Sequence, residues 1–218
     1  MHRGTYAFGV FLLSLIGGLP IAAEDMPSAI GRISYGDSPA PGAAICTGVL
    51  VAPDLVLTAG HCVRAMADDP TVIRFDAGWG AGRPAGRGRG AEVILNDTGD
   101  LTEDVALVVL EEPMAKDVAS PLPLANAATG ALTLYAFRRD APNHPSGPST
   151  CTQLAALPGS LGFNCPAVSG NSGAPLLQQA GTGWAVVAVM VAASARGPVR
   201  SWAVLPPDGL RQRIAAAD

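Results

Sequence analysis

The sequence predicts an all-β fold in which short strands are joined by many turns. Short apolar runs recur along the chain, and glycine or proline separates most of them. The 218 residues include 26 glycines and 19 prolines, and only 15% of them are charged. This composition disfavours long helices, while a hydrophobic share of 49% supplies enough side chains for a sizeable core. The length suits one domain or two small barrels that share a cleft.

The first half of the chain contains the clearest strand patterns. Pro53 and Asp54 separate two apolar runs and mark a hairpin. The segment 78–90 is rich in glycine and arginine, and it is predicted to be an exposed hairpin tip. The basic run 83–89 contains no aromatic residue, so we interpret it as a solvated loop and not as a nucleic-acid site. Strands are predicted at 30–35, 43–51, 55–59, 71–75, 91–95 and 105–110.

The second half repeats this strand-rich pattern. Segment 114–130 has no clear period and is predicted to cross between the two halves. Segment 138–149 contains three prolines and is predicted to be a loop, in which His144 is a solvated histidine. Asp208 is predicted to cap a short helix. The predicted strands cover 132–137, 151–157, 184–192 and 201–205, and the helix covers 209–217.

Residues 1–23 are predicted to be a cleaved secretory signal, which leaves 24–218 as the mature domain. His2 and Arg3 give a polar, basic start, 7–21 is apolar, and small residues precede the cleavage point. The alternative is a membrane anchor, but glycines and a proline interrupt the apolar run, which is also short for a spanning helix. We therefore expect a secreted or periplasmic protein with no stable membrane association after cleavage.

The cysteines and the charge limit the classes of partner. Four cysteines in an exported chain indicate two disulfides, for which three pairings are possible. A metal site is not predicted, because the sequence has no CxxC pair. The net charge of −4 gives no reason to expect a nucleic-acid partner.

The stretch 168–175, Val-Ser-Gly-Asn-Ser-Gly-Ala-Pro, is the strongest candidate for a reactive site. Gly170 and Gly173 flank Asn171 and Ser172, and glycine tolerates the positive φ of a tight turn. Such a turn exposes the serine hydroxyl and aims backbone N–H groups at the place where an oxyanion would form. Taken alone, the stretch is better explained as an ordinary turn of small polar residues.

Two other stretches favour the reactive interpretation. A serine nucleophile needs an adjacent base, and the base needs an orienting acid. His61 follows an apolar run within Thr-Ala-Gly-His-Cys at 58–62. Asp104 opens the apolar run 105–110, where a charged carboxylate needs a partner. The chain order His61, Asp104, Ser172 is one of three orders that are known for a Ser-His-Asp triad.

The sequence resembles the chymotrypsin-like (trypsin-like) serine proteases, and it is nearest to the bacterial branch that includes the glutamyl endopeptidases. The resemblance rests on Thr-Ala-Gly-His-Cys at 58–62, Asp-Val-Ala-Leu at 104–107 and Gly-Asn-Ser-Gly-Ala-Pro at 170–175. It covers nearly all of the chain after the first thirty or so residues. It implies two six-stranded antiparallel β-barrels, at about 30–113 and 131–205, with a short C-terminal helix. It also implies a monomer that acts on a protein or peptide substrate without a cofactor.

The resemblance also implies roles for individual residues. Ser172 would be the nucleophile, His61 the general base and Asp104 the acid that orients His61. The backbone N–H groups of Gly170 and Ser172 would form the oxyanion hole. A bridge between Cys46 and Cys62 would close the loop beneath the histidine, which leaves Cys151 and Cys165 to pair near the serine loop.

A specificity pocket is implied at residues 163–167 and 191–194, with Pro166, Val191, Ala192 and Ala193 as candidate lining residues and Arg200 or Ser201 on a third wall. Pro166 stands where trypsin-like relatives carry the aspartate that selects lysine and arginine. Segment 184–194 lacks the histidine that glutamate-specific relatives place there. A pocket for small or apolar side chains is therefore expected.

Asn171 departs from the pattern of the animal enzymes. Their aspartate at this place receives the new N-terminal ammonium after cleavage of a propeptide. Because an asparagine carries no charge to balance an ammonium, we expect no insertion of the N-terminus here.

Two alternative functions follow from other departures. Val191 or a neighbour replaces the late-strand serine that helps to hold the triad acid in relatives. This replacement leaves open a catalytically weak or inactive protease-like protein that binds or regulates. An esterase or lipase of the α/β-hydrolase kind is disfavoured, because a glycine directly follows Ser172 and His61 comes first in the chain.

Overall fold

A computed structural model of the chain describes residues 26–36, 43, 45–96, 100 and 102–217. The predicted signal at 1–23 lies outside the described residues. The described residues form thirteen strands in two antiparallel sheets, together with two short helices. The predicted all-β class is therefore confirmed.

The first six strands close into a barrel. Their order around it is β1-β2-β3-β6-β5-β4, so β1 pairs with both β2 and β4 and no edge is left open. Apolar side chains such as Ile33, Leu57 and Phe75 fill the interior and have no exposed surface. The strands are β1 (Ile30–Tyr35), β2 (Cys46–Ala52), β3 (Leu55–Thr58), β4 (Ile73–Ala77), β5 (Gly86–Leu95) and β6 (Ala106–Leu110).

The second sheet contains seven strands where the resemblance implies a six-stranded barrel. Its order is β8-β7-β11-β12-β13-β10-β9. The two outer strands, β8 and β9, are separated in the chain by Thr152 alone, so the two edges of the sheet must meet and the sheet curls. The strands are β7 (Leu132–Arg138), β8 (Ala141–Cys151), β9 (Gln153–Leu157), β10 (Ser160–Phe163), β11 (Pro175–Ala180), β12 (Gly183–Ala193) and β13 (Ser201–Val204).

Segment 141–151 forms β8, so the prediction of a loop there is wrong. This strand lies at an edge and pairs with β7 alone, with two shifts of register. Prolines are tolerated on edge strands and at irregular pairings, because no neighbour requires their missing N–H group. The sequence also does not predict β10 and β11.

Segment 86–90 forms the first half of β5, so the prediction of an exposed tip is wrong for these residues. Its glycines alternate with arginines, which is the period of a strand. A Cβ at Gly88 would lie 2.8 Å from Leu110 Cδ1, and a Cβ at Gly86 would lie 2.6 Å from Val118 Cγ1. The glycines therefore occupy the crowded face, while Arg87 and Arg89 are partly exposed on the other face.

The two helices are short. One turn, α1 (Gly60–Val63), follows β3 and carries His61. Helix α2 (Asp208–Ala215) packs Leu210 and Ile214 into the core. Pro207 occupies the N-cap position, and Asp208 is the first helical residue rather than the predicted cap. Neither of these helices in the described part of the chain has the length and hydrophobicity needed to cross a membrane.

Both predicted disulfides are confirmed. Cys46 pairs with Cys62 and so ties the start of β2 to α1. Cys151 pairs with Cys165 and ties the end of β8 to the segment before the serine loop. Each bridge closes a loop of moderate length, which typically stabilises a fold by about 3 kcal/mol.

A buried cluster of charges connects the barrel to the second sheet. Asp76 has no exposed surface, and its Oδ2 accepts a hydrogen bond of 2.7 Å from Arg32 Nη2 while its Oδ1 accepts one of 2.5 Å from Arg87 Nε. Arg32 Nη1 also donates to Pro142 O at 3.0 Å and to Asn143 Oδ1 at 2.7 Å in β8. One arginine thus pairs a buried carboxylate and bridges the two sheets.

Asp76→Asn is expected to lower the free energy of unfolding by about 3 kcal/mol or more, because it leaves two guanidinium groups beside a neutral amide in a buried place. Urea denaturation followed by fluorescence measures the change. Asp140→Asn is the matched control, since it breaks an exposed ion pair with Arg138 and should have no measurable effect. An equal effect of the two substitutions would contradict the prediction.

Candidate active site

His61 and Asp104 form a close pair at the edge of the barrel. His61 Nδ1 lies 2.6 Å from Asp104 Oδ2, and the His61 backbone N–H donates to Asp104 Oδ1 at 2.7 Å. The side chain of Asp104 is 5% exposed and that of His61 is 44% exposed. With Nδ1 engaged by the carboxylate, the other ring nitrogen, Nε2, is left to meet a partner on the open side of the ring.

The pair keeps Asp104 ionised. Burial alone would raise the pKa of this carboxyl group. Hydrogen bonds from the ring and the amide of His61, and the positive charges of His61 and Arg64, outweigh burial and hold the pKa of Asp104 below its ordinary value of 3.8. The carboxylate is therefore charged at neutral pH and can hold the imidazole in one tautomer.

Tyr35 fixes the turn that carries His61. Its hydroxyl donates to Cys62 O at 2.6 Å. Burial raises the pKa of Tyr35 to about 12, so this hydroxyl stays protonated and remains a donor over the physiological range. Together with the Cys46–Cys62 bridge, this contact restrains α1.

The ligand atoms of Cys46, His61 and Cys62 lie within 4.8 Å of one another. The two sulfurs are joined in a disulfide and offer no thiolate, which is the form of cysteine that binds metal ions. This cluster is therefore not a metal site in the disulfide-bonded protein.

The serine loop is a tight turn in which two glycines are required. Gly170 has a φ of 101° and Gly173 has a φ of 82°, which L-residues rarely adopt. A Cβ at Gly170 would lie 2.8 Å from Arg139 N, and a Cβ at Gly173 would collide with Thr47 O and Thr58 Oγ1. The turn therefore fits closely against both sheets.

The backbone amides of this loop fall into two groups. Asn171 N donates to Val168 O at 3.0 Å, and Gly173 N donates to Met190 O at 2.7 Å. The amides of Gly170 and Ser172 have no hydrogen-bond acceptor among the residues that the structure describes. Two unoccupied donors thus lie beside the serine, as an oxyanion hole requires.

Asn171 is held by the backbone. This residue is 5% exposed; its Oδ1 accepts from Val168 N at 2.9 Å, and its Nδ2 donates to Phe137 O at 2.9 Å. Its donor and acceptor are thus both satisfied by neutral groups, so the turn needs no ammonium to balance a charge.

The serine loop and the histidine turn come from segments in direct contact. Thr47 N donates to Ser172 O at 2.8 Å. Thr47 is next to Cys46, which is bonded to Cys62, the neighbour of His61. A Cβ at Gly173 would also lie 3.1 Å from Ala59 N, two residues before His61. The candidates His61, Asp104 and Ser172 are therefore brought to the contact between the two sheets.

A pocket of about 190 Å³ opens beside Ser172, and no charged side chain lines it. Val191, Ala192 and Ala193 line it as predicted, whereas the lining begins at Ala167 and does not include Pro166. Ser201 is buried and donates to Cys165 O at 2.7 Å, and Arg200 is exposed. The lining residues are Ala167, Val168, Ser169, Ser172, Met190, Val191, Ala192 and Ala193.

No sequence pattern points to Thr47 or Arg64, which contact or lie near the candidate residues. Thr47 makes four hydrogen bonds at the contact between the sheets, and Arg64 contributes positive charge near Asp104. Each lies close to a cysteine of one disulfide, but neither belongs to a motif that suggests chemistry.

Residues 46–189 match the profile of a family that is described as the trypsin-like peptidase domain. A comparison with curated protein sequences gives no significant match.

Three solved structures share the fold. A thermostable serine protease, AL20, from an extremophilic microorganism superposes with a TM-score of 0.66 at 21% identity, over 87% of this chain and 97% of that one. A Glu endopeptidase in complex with MPD superposes with a TM-score of 0.68 at 19% identity, over 87% of this chain and 89% of that one. The inactivated protease paralogue S-D1 of the scabies mite superposes with a TM-score of 0.64 at 13% identity, over 82% of this chain and 87% of that one. Since an inactivated protein shares the fold, the fold alone does not decide whether the chain is active.

Asp104→Asn is expected to destabilise the protein at about pH 6, and this effect is expected to shrink as the pH falls below 3.8, the ordinary pKa of the carboxyl group. Folding lowers the pKa of Asp104 below 3.8, so the carboxylate stabilises the folded state above the unfolded-state pKa. That contribution disappears as the pH falls through the lower, folded-state pKa. Denaturant titrations of both proteins at each pH measure the difference, and a difference that does not change with pH would contradict the assignment.

Proposed function

Because the chain belongs to the trypsin-like peptidase family, we propose that it is a serine endopeptidase that forms an acyl-enzyme on Ser172. Family membership supports a peptidase that acts on protein or peptide substrates. One observation carries the finer proposal: a buried, charged Asp104 holds the ring of His61 by Nδ1 on the segment that contacts the serine loop.

The proposed reaction is acyl transfer in two halves. Ser172 Oγ attacks the carbonyl carbon of the substrate while its proton passes to His61 Nε2. The tetrahedral intermediate then breaks its C–N bond, and His61 gives the proton to the leaving amine. Water then attacks the resulting ester while its proton passes to His61. The ester C–O bond breaks, His61 returns the proton to Ser172 Oγ, and the acid is released.

Asp104 would act through His61. The 2.6 Å contact at Nδ1 keeps the ring proton on that nitrogen and leaves Nε2 as the base. When His61 becomes an imidazolium, the adjacent carboxylate stabilises its charge. The lowered pKa of Asp104 supports this role, because the group does not take up the proton itself.

The oxyanion would be bound by the amides of Gly170 and Ser172. Removal of one such donor typically raises the barrier by about 3–4 kcal/mol. Asn171 holds the turn with neutral hydrogen bonds, which supports an oxyanion hole that is formed without insertion of the N-terminus.

One observation favours a second candidate, a protease-like protein that binds or regulates with little or no catalysis. Val191 lines the pocket on the late strand, where the resemblance leads us to expect a serine that helps to hold Asp104. A valine offers no hydroxyl for that purpose. The two candidates differ in whether Ser172 is activated.

We also propose that the mature chain is exported and acts as a monomer. Two disulfides support an oxidising compartment outside the cytoplasm.

A fluorophosphonate probe should label Ser172, because an activated serine displaces the fluoride and retains the phosphonyl group. Peptide mapping by mass spectrometry locates the modified residue. Ser172→Ala should lose labelling and reduce kcat by at least about 10,000-fold with an unchanged melting temperature.

His61→Ala is the control for activation, since it keeps the serine and removes the base. Labelling of the wild type that vanishes in this variant supports the endopeptidase. A folded, disulfide-bonded wild type that takes up no probe would contradict it and favour the binding protein.

The volume and the uncharged lining of the pocket beside Ser172 predict cleavage after small, uncharged residues. Its volume of about 190 Å³ and its lining of alanine, valine, serine and methionine offer no counter-charge for a basic or acidic side chain. We expect kcat/KM to be at least about tenfold higher for alanine at P1 than for arginine or glutamate in otherwise identical peptides.

Arg200→Ala provides the control for this prediction. If the exposed arginine takes no part, the order of substrates is unchanged in the variant. A preference for glutamate that disappears in Arg200→Ala would overturn the prediction and assign Arg200 to the pocket.

A further inference from the structure

Thr47 uses every polar group that it has at the contact between the two sheets. It lies in β2 and has no exposed surface. Its backbone N–H donates to Ser172 O at 2.8 Å, and its carbonyl accepts from Thr58 Oγ1 at 2.8 Å. Its hydroxyl makes two further contacts, with Gly170 O at 2.8 Å and with Phe137 N at 2.9 Å.

Chemistry fixes the direction of both hydroxyl bonds. A backbone N–H can only donate, so Thr47 Oγ1 accepts from Phe137. The single hydroxyl hydrogen must then point to the carbonyl of Gly170. A serine could make the same pair of bonds, whereas a valine of nearly the same shape could make neither.

These bonds immobilise the Gly170–Asn171 peptide unit, which lies between the two amides of the candidate oxyanion hole. The carbonyl of Gly170 is held by Thr47, and the N–H of the same peptide, on Asn171, is held by Val168 O at 3.0 Å. A peptide plane that is bonded on both sides cannot rotate without breaking both bonds. The amides of Gly170 and Ser172, on either side of this plane, keep their directions as a result.

The hydroxyl also closes a ring of contacts with β7. Phe137 N donates to Thr47, and Phe137 O accepts from Asn171 Nδ2 at 2.9 Å. The backbone of Gly170 packs against Arg138 and Arg139, so that no Cβ fits there. Thr47 thus connects the barrel, the end of β7 and the serine loop through one atom.

We propose that the Thr47 hydroxyl is a positioning group for the oxyanion hole. It touches neither substrate nor reacting atoms, and it acts by fixing the Gly170–Asn171 peptide. The inference rests on the proposed function, because the amides matter only if an oxyanion forms.

The test compares Thr47→Val with Thr47→Ser in the mature, disulfide-bonded enzyme. We expect Thr47→Val to lower kcat by about 10- to 100-fold with KM changed by less than about twofold, and Thr47→Ser to restore most of the loss. Binding of a peptide boronic acid, which forms a tetrahedral adduct on the serine, should weaken by the same factor. Binding of the corresponding peptide alcohol, in which a CH2OH group replaces the C-terminal carboxylate and no negatively charged oxygen is present, should not change.

Ile214→Ala in α2 controls for stability alone, because it truncates a buried side chain of the C-terminal helix. It should lower the melting temperature and leave the ratio between the dissociation constants of the two ligands unchanged. The inference would be overturned if the wild type is active and Thr47→Val has the same kcat. It would also be overturned if Thr47→Val loses affinity for both ligands by the same factor. A wild type without turnover or labelling would instead overturn the proposed function.

Discussion

The structure depends on one constraint: the start of β2 and the serine loop must lie close enough for their backbones to form hydrogen bonds. His61 and Asp104 belong to the barrel, whereas Ser172 belongs to the second sheet. Apolar packing joins the two sheets, since Val186, Val189 and Val191 belong to the same buried cluster as the barrel core. The start of β2 adds hydrogen bonds at the serine loop. Thr47 N holds the carbonyl of Ser172, and Thr47 Oγ1 holds that of Gly170. The absence of side chains at Gly170 and Gly173 lets these backbones approach closely enough to bond.

The buried carboxylates of Asp76 and Asp104 are both paired, and their partners differ in chemistry. Asp76 is surrounded by two guanidinium groups and joins the barrel to β8, where a charge without partners would cost several kcal/mol. Asp104 pairs with a titratable ring that is partly open to solvent. An arginine partner keeps its charge at every accessible pH, whereas a histidine partner can change its charge during a reaction.

The sequence points to His61, Asp104 and Ser172 through local motifs, whereas two of the strands are not evident from it. The motifs around His61, Asp104 and Ser172 are local, because each needs particular residues at particular spacings. The strands β5 and β8 were misjudged because glycine and proline usually mark turns, and their tolerance here depends on tertiary position. Proline is acceptable in β8 only because β8 is an edge. The glycines of β5 make room for Leu110 and Val118, which lie far along the chain. The role of Thr47 cannot be predicted from sequence for the same reason, since the partners of its hydroxyl group lie ninety or more residues away.

Because the residue before Ser172 is uncharged, the serine turn needs no charged partner. A buried aspartate at this position would need a positive partner, and the turn would form only when that partner arrived. Asn171 finds its donor and acceptor in Val168 and Phe137, which are already present in the folded chain. The Phe137 amide is fixed by Thr47, so Asn171 and Thr47 brace the same strand end from two sides. An amide and a hydroxyl thereby hold the loop with neutral hydrogen bonds, where a charged residue would require an ion pair.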